Sequence, residues 1–187
     1  MLKIVIFTRG QPQVTLNRFI RYLAKEENIE ISAIVVDQFK GSPFGRARFL
    51  LRKWGLATFL TSTAYQVLKV ALRSLSKRVF SLWHDRFVPD KGDFGWDDWV
   101  RHGLVVHLTP DIHGPEAIRF IRDLEADLGI IVGGRILKDR VTTAPRLGTL
   151  NIHKHDASKY RGGPQIGYPE CANGDQVLTV TIHYATS

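Results

Sequence analysis

The chain has 187 residues, of which 44% are hydrophobic and 24% are charged, and these proportions are ordinary for one globular domain. A single cysteine, Cys171, excludes an internal disulfide framework and favours a reducing, cytoplasmic location. The formal net charge is +8 at pH 7, and no apolar run approaches the ~20 residues of a membrane span.

The first 37 residues predict one β-α-β unit. Residues 2–7 form a continuous apolar, β-branched run that is typical of a central parallel strand. Apolar residues then recur at helical spacing over 14–25, and a second strand is predicted over 31–36. Such a unit begins a Rossmann-like sheet, although no G-x-G-x-x-G motif follows the first strand to indicate dinucleotide binding.

The second half of the chain continues the alternation of strands and helices. Strands are predicted at 104–108, 128–132, 147–153 and 177–184, and helices at 115–124 and 163–173. Gly133-Gly134 is predicted as the turn that leaves the strand at 128–132. We therefore predict one α/β domain over 1–187, with an open, mostly parallel sheet and helices on both faces.

The segment at about 40–100 is predicted to be a helical, basic insert. Residues 40–86 contain ten Lys or Arg and one acid, a net charge of +9, which leaves −1 for the remainder. Apolar residues over 60–83 follow one helical stripe, and basic residues such as Lys69 lie largely opposite them. Residues 93–99 are predicted to close the insert as an acidic, aromatic loop.

Two interpretations of this insert remain open. Its basic face is either solvated while the helix packs on the domain, or it contacts an anionic surface. The second interpretation predicts peripheral binding to lipid headgroups or to RNA. It also supports a hypothesis of another class, in which the chain is a non-catalytic module that binds a membrane surface or a polyanion.

Asn151-Ile-His153 is the strongest candidate for chemistry. Side chains two residues apart on an extended strand project from the same face. An amide can donate a hydrogen bond to a developing oxyanion, and an imidazole can transfer protons near neutral pH. The pair therefore suits acyl or formyl transfer, although an N-x-H pair by itself is also common by chance.

The surrounding residues resemble the 10-formyltetrahydrofolate-dependent formyltransferases, over roughly 126–183 and more weakly over the first 37 residues. Members of this family act on glycinamide ribonucleotide, on initiator methionyl-tRNA or on amino groups of nucleotide-linked sugars. The resemblance is carried by five motifs in register: Asp127 to Gly134, Arg135 to Leu137, Gly148 to His153, Tyr160 to Gly162, and Asn173 to Asp175 followed by Val180 to His183.

The resemblance implies roles for particular residues. Asn151 would hydrogen-bond the formyl oxygen of 10-formyltetrahydrofolate, and His153 would assist proton transfer as a primary amine attacks. The loop residues Gly134, Arg135, Ile136 and Leu137 would hold the pterin ring through their backbone, although plain core packing also explains Ile136 and Leu137.

Departures from the family pattern also carry expectations. The sequence reads His155-Asp156-Ala157-Ser158 where the transfer-RNA enzymes have Ser-Leu-Leu-Pro, and His155 is predicted to be a solvated loop residue. The turn at 8–12 lacks a glycine-rich phosphate loop, which makes a purine-pathway substrate less favoured.

The third catalytic residue of the family is an aspartate shortly after the strand that matches 177–184, and the chain stops at Ser187. We therefore expect a C-terminally incomplete formyltransferase-like domain in which His153 lacks its carboxylate partner. An inactive polypeptide would follow from that expectation.

The leading hypothesis for the acceptor is an amino-sugar nucleotide, because a basic amphipathic insert suits work near envelope-polysaccharide assembly. Methionyl-tRNA is the alternative acceptor, and no DNA partner is predicted. No metal site is predicted either: His102, His107 and His113 fall close together, but neither a cysteine nor an H-E-x-x-H spacing accompanies them.

Overall fold

Six strands form one sheet in the part of the chain that the structure, a computed structural model, describes. These residues are 1–12, 14–39, 94–153, 155–159, 173–177 and 179–185. The strands are β1 (Leu2–Arg9), β2 (Ile29–Asp37), β3 (Val106–Thr109), β4 (Leu128–Ile131), β5 (Thr149–His153) and β6 (Thr181–Tyr184). Residues 40–93 of the predicted insert, which include its basic helix, and nearly all of the predicted helix at 163–173 lie outside the described residues.

The sheet has the order β3-β2-β1-β4-β5-β6. All neighbouring strands run parallel except β5 and β6, which are antiparallel. The order reverses between β1 and β4, and ligands of open α/β sheets bind at such a point, beyond the carboxyl ends of the strands. The predicted open, mostly parallel α/β sheet is confirmed.

Helices cover both faces of this sheet, as predicted. On one face, residues of β1 and β2 such as Ile6 and Ile34 pack with α1 and α2. On the other face, Phe7 and Val35 pack with α3 and α4. The helix bounds are α1 (Val14–Leu23), α2 (Trp96–Arg101), α3 (Pro115–Asp123) and α4 (Asp139–Thr142).

The prediction of an acidic, aromatic loop at 93–99 is wrong, because most of that segment is helix α2. The Asp98 carboxylate accepts a hydrogen bond from the Gly95 backbone N–H at 2.7 Å, which caps the helix N-terminus. Trp96 and Trp99, three residues apart, are both buried in the core beside α1. These aromatic residues therefore form part of the core, which the composition alone did not reveal.

A buried asparagine joins α1 to the chain that follows the insert. The Trp99 indole N–H donates to Asn17 Oδ1 at 2.7 Å, and Asn17 Nδ2 donates to the Phe94 carbonyl at 3.1 Å. Asn17 is only 1% exposed. A buried polar group is stable only with its partners, so this bridge fixes where the chain returns to the sheet.

Most predicted elements differ from the observed ones only at their ends. The last strand is the exception: it was predicted over 177–184 and begins at Thr181. Its four residues pair with Leu150 to His153 of β5. Among the described residues, no helix is long and apolar enough to cross a membrane.

We predict that Asn17→Leu lowers the free energy of unfolding by about 2 kcal/mol, because it leaves a buried N–H and a buried carbonyl without partners. Tyr22→Leu, at an exposed position of the same helix, is the matched control and should change stability little. Urea unfolding measures both variants.

The same experiment in a Trp99→Phe background separates the hydrogen bond from packing. Since that background already lacks the indole N–H, Asn17→Leu should cost less in it than in the parent. Equal losses in both backgrounds would show that the hydrogen bond between Trp99 and Asn17 does not stabilise the protein.

Candidate active site

Strand β5 carries both residues of the N-x-H pair. Asn151 lies opposite Ile131 of β4, in the parallel ladder. Ile152 packs into the core beneath α1 and α2, so the alternation of side chains places Asn151 and His153 on the opposite face, where α3 and α4 lie. Both residues are partly buried. The structure thus brings the pair to one face at the carboxyl end of β5.

A second histidine, His183, contacts Asn151 of this pair, and no role was predicted for it. His183 of β6 lies directly opposite Asn151 in the antiparallel register. Asn151 Nδ2 is 3.2 Å from His183 Nε2, and His183 Nδ1 is 2.8 Å from the Tyr184 carbonyl oxygen. The signal that could have found it was its place in a motif of the formyltransferase family.

The prediction that His155 is a solvated loop residue is wrong, because its exposed fraction is only 3%. Its ring lies 5.7 Å from the ring of His153 at an interplanar angle of 64°. The Thr181 hydroxyl donates to the His155 carbonyl at 2.8 Å and accepts from the Ala157 N–H at 3.1 Å. The start of β6 therefore covers the turn that leaves β5.

The four predicted cofactor-binding residues follow β4 at the carboxyl edge of the sheet. Gly134 has φ 144°, a conformation that essentially only glycine adopts. Leu137 is buried in the core beside α3 and α4, so core packing explains its side chain. Ile136, by contrast, is 90% exposed, and core packing does not explain it.

Arg135 joins three strand ends. Its Nε donates to Asp37 Oδ2 at 2.6 Å, at the end of β2. Its guanidinium also forms an ion pair with Asp111, just beyond β3, and lies 4.3 Å from the centre of the Phe39 ring. Asp37 is 2% exposed and also accepts from the backbone N–H of Phe39 and of Ile112. Sequence analysis assigned no role to either carboxylate.

The electrostatics of this cluster favour a charged Asp111 and a neutral His113. A hydrogen bond from the His113 backbone N–H, together with Arg135, lowers the pKa of the Asp111 carboxyl below its usual value. Burial and the charge of Arg135 lower the pKa of the His113 imidazole. Neutral His113 can then accept the hydrogen bond from the Lys138 N–H, at 3.2 Å.

A small cleft lies at the point where the strand order reverses. The cleft spans about 200 Å³, a volume that includes open solvent at its mouth. Asn151 and His153 are not among its walls, although their strand is next to β4. The cleft is lined by the ends of β1, β2 and β4 (Phe7, Thr8, Asp37 and Ile131) and by Ile112, Gly133, Gly134, Arg135 and Leu137.

The three neighbouring histidines have separate contacts. His102 Nδ1 is 2.8 Å from the Asp98 carbonyl oxygen, and His107 stacks on Phe120 with ring centres 4.0 Å apart. His113 contacts Asp111 and Lys138. Within the described ranges, no group of three His, Cys, Asp or Glu side chains is placed to hold a metal ion.

Comparison of the sequence with known proteins identifies relatives among the formyltransferases. The chain is 34% identical over 84 residues to methionyl-tRNA formyltransferase of Trichlorobacter lovleyi and 41% identical over 88 residues to that of Parabacteroides distasonis. These alignments cover 44% and 46% of the chain but only 26% of each relative. No family model matches the chain.

Solved structures of similar fold are phosphoribosylglycinamide formyltransferases. The proteins from Coxiella burnetii and Anaplasma phagocytophilum superimpose with TM-scores of 0.52 and 0.55 at 16% and 14% identity. Both superpositions cover 100% of this chain, and 66% and 65% of the respective structures. The chain therefore shares the fold of these structures. Over 44–46% of its length it is also similar in sequence to methionyl-tRNA formyltransferases, which agrees with the predicted resemblance.

We predict that Arg135→Met lowers the free energy of unfolding by about 3 kcal/mol, because it leaves the buried Asp37 carboxylate without its counter-charge. Arg146→Met is the matched control: Arg146 also pairs with an aspartate, Asp127, but its side chain is 70% exposed. Since solvent screens such a pair, its loss should matter much less. Equal shifts of the urea midpoint for the two variants would contradict a structural role for the Arg135 cluster.

Proposed function

We propose that this protein transfers a formyl group from 10-formyltetrahydrofolate to a primary amine. The observation that carries the proposal is the position of Asn151 and His153 on one face of β5, next to the loop that follows β4. Formyltransferase relatives over 44–46% of the chain supply independent support.

The two side chains have complementary tasks in this reaction. When an amine attacks the formyl carbon, negative charge grows on the formyl oxygen, and an N–H of Asn151 can donate to it. Loss of one such donor typically costs about 3 kcal/mol of transition-state stabilisation. The attacking nitrogen must also lose a proton, which a neutral His153 imidazole can accept.

The loop after β4 suits recognition of a flat heterocycle. No hydrogen bond within the described part of the chain engages the backbone N–H of Ile136 or of Leu137. A side chain added at Gly133 would meet nothing within 4 Å, so the backbone there is open to approach. These free polar groups can pair with the edge of a pterin ring, which would place the formyl group towards the next strand, β5.

Methionyl-tRNA is the acceptor that the comparisons favour. The relatives from Trichlorobacter lovleyi, Macrococcus caseolyticus and Parabacteroides distasonis are methionyl-tRNA formyltransferases. An amino-sugar nucleotide, the leading hypothesis from the sequence, receives no such support. The net charge of +9 over residues 40–86 also suits a polyanionic acceptor, because cationic side chains release counterions from phosphates.

We predict that Asn151→Ala and His153→Ala each lower kcat/KM for formyl transfer by about 100-fold. Their affinity for 5-formyltetrahydrofolate, a stable isomer of the donor, should change little, because the loop after β4 supplies that binding. Asn28→Ala, which removes an exposed carboxamide far from β5, is the control and should leave the rate unchanged. Calorimetry and release of tetrahydrofolate measure the two effects, and absence of 5-formyltetrahydrofolate binding by the parent would refute the proposal.

The choice of acceptor is tested with initiator methionyl-tRNA and a UDP-linked amino sugar offered side by side. We expect the formyl group on the tRNA, with kcat/KM falling steeply as salt rises. Lys69→Gln with Arg73→Gln should weaken tRNA use, whereas Arg18→Gln with Lys25→Gln, on and beside α1, should not. Formylation of the sugar alone would restore the hypothesis from the sequence, and RNA or liposome binding without any transfer would favour a non-catalytic module.

A further inference from the structure

The cross-strand contact between Asn151 and His183 defines which end of the Asn151 amide faces β6. The two residues are a directly opposed pair of the β5–β6 ladder, so their side chains leave the sheet on the same face. Asn151 Nδ2 lies 3.2 Å from His183 Nε2. Within the described residues, this is the only hydrogen bond of the Asn151 side chain.

The tautomer of His183 follows from its other nitrogen. His183 Nδ1 lies 2.8 Å from the Tyr184 carbonyl oxygen, and a carbonyl oxygen can only accept, so Nδ1 carries the proton. In a neutral imidazole the remaining nitrogen, Nε2, is then an acceptor. Its partner on Asn151 must therefore be the NH₂ group, since an amide oxygen would face an acceptor.

This orientation leaves Asn151 able to donate again. An amide NH₂ group has two hydrogens, and only one is used by His183. The second N–H remains for a ligand on the same face as His153. The opposite orientation would turn the amide oxygen towards His183 and change the groups that a bound formyl oxygen meets.

We propose that His183 is a positioning residue, which fixes the Asn151 amide so that an N–H is presented to the reacting formyl group. The inference rests on the proposed function for the identity of the reacting group, whereas the orientation itself does not depend on it. His183 is exposed, so its hydrogen bond contributes little to stability. Its effect should instead appear in the rate.

The orientation is tested without any substrate by ¹⁵N NMR of the imidazole and carboxamide groups at pH 8. We expect His183 with Nδ1 protonated and Nε2 unprotonated, and an Asn151 NH₂ signal that moves in His183→Phe. His102→Phe is the matched control, since His102 also places Nδ1 near a backbone oxygen, that of Asp98. An Nε2-protonated His183, or an Asn151 signal that does not respond, would overturn the proposal.

The role in catalysis is tested by the rates of the same variants. We expect His183→Phe to lower kcat by about 10-fold with KM for the donor unchanged, because a misaligned donor acts only on the transition state. His183→Gln, which restores an acceptor oxygen, should recover most of the rate. Adding His183→Phe to Asn151→Ala should cost nothing more, since the histidine acts through the amide.

These measurements separate the two proposals. Additive losses in the double variant, or a loss in His183→Phe that His183→Gln does not recover, would overturn the positioning role while leaving formyl transfer intact. A parent with the expected NMR signature but no transfer to any amine would instead reject the proposed function.

Discussion

The buried carboxylate of Asp37 imposes a condition that organises the carboxyl edge of the sheet. A carboxylate with 2% exposure requires a counter-charge or several donors, because its loss of hydration costs several kcal/mol. Arg135 supplies that charge and at the same time pairs with Asp111. One guanidinium therefore holds the ends of β2 and β3 against the loop that follows β4, and the cleft between them exists because these three segments are tied together.

A second constraint is the two-residue period of β5. Ile152 must reach one core, so Asn151 and His153 necessarily point to the opposite face. A shift of register by one residue would bury the polar pair and expose Ile152. Packing on one side of the sheet thus determines the face on which Asn151 and His153 lie. Gly148, with φ 81°, forms the turn just before Thr149 and so sets the phase in which the strand begins.

The sequence predicts those parts of the structure that depend on local pattern. The apolar runs of β1 and β4 and the helical spacing of α1 gave the right elements, and the motif order gave the right fold. Helix α2 was missed because its two tryptophans are buried through contacts with distant residues: the Trp96 and Trp99 indoles donate to Gly10 and Asn17, 86 and 82 positions earlier in the chain. The burial of His155 likewise depends on Thr181, which approaches through the antiparallel strand.

The same distinction between local pattern and long-range contact explains which parts of the candidate site could be predicted from the sequence. Asn151 and His153 could be paired from the sequence because one strand carries both. The contacts of Arg135 with Asp37 and of Asn151 with His183 span 98 and 32 positions, and no periodicity links residues so far apart. Such contacts follow from the order and direction of the strands. The direction of β6 decides the second of them, since a parallel strand could not offer His183 opposite Asn151 and Thr181 beside His155 at the same time.

Under the proposed function, the distribution of charge would separate the capture of a polyanionic acceptor from the transfer itself. Residues 40–86 carry +9, whereas the remainder, which includes β5 and the cleft, carries −1. Long-range attraction of a polyanion would therefore come from the basic segment, and it would be screened by salt over about 10 Å at 0.1 M. Alignment of a formyl group would depend on short hydrogen bonds to neutral groups, the Asn151 amide and the loop backbone, which salt screens little. The KM for a polyanionic acceptor should accordingly rise as salt rises, while kcat stays nearly constant.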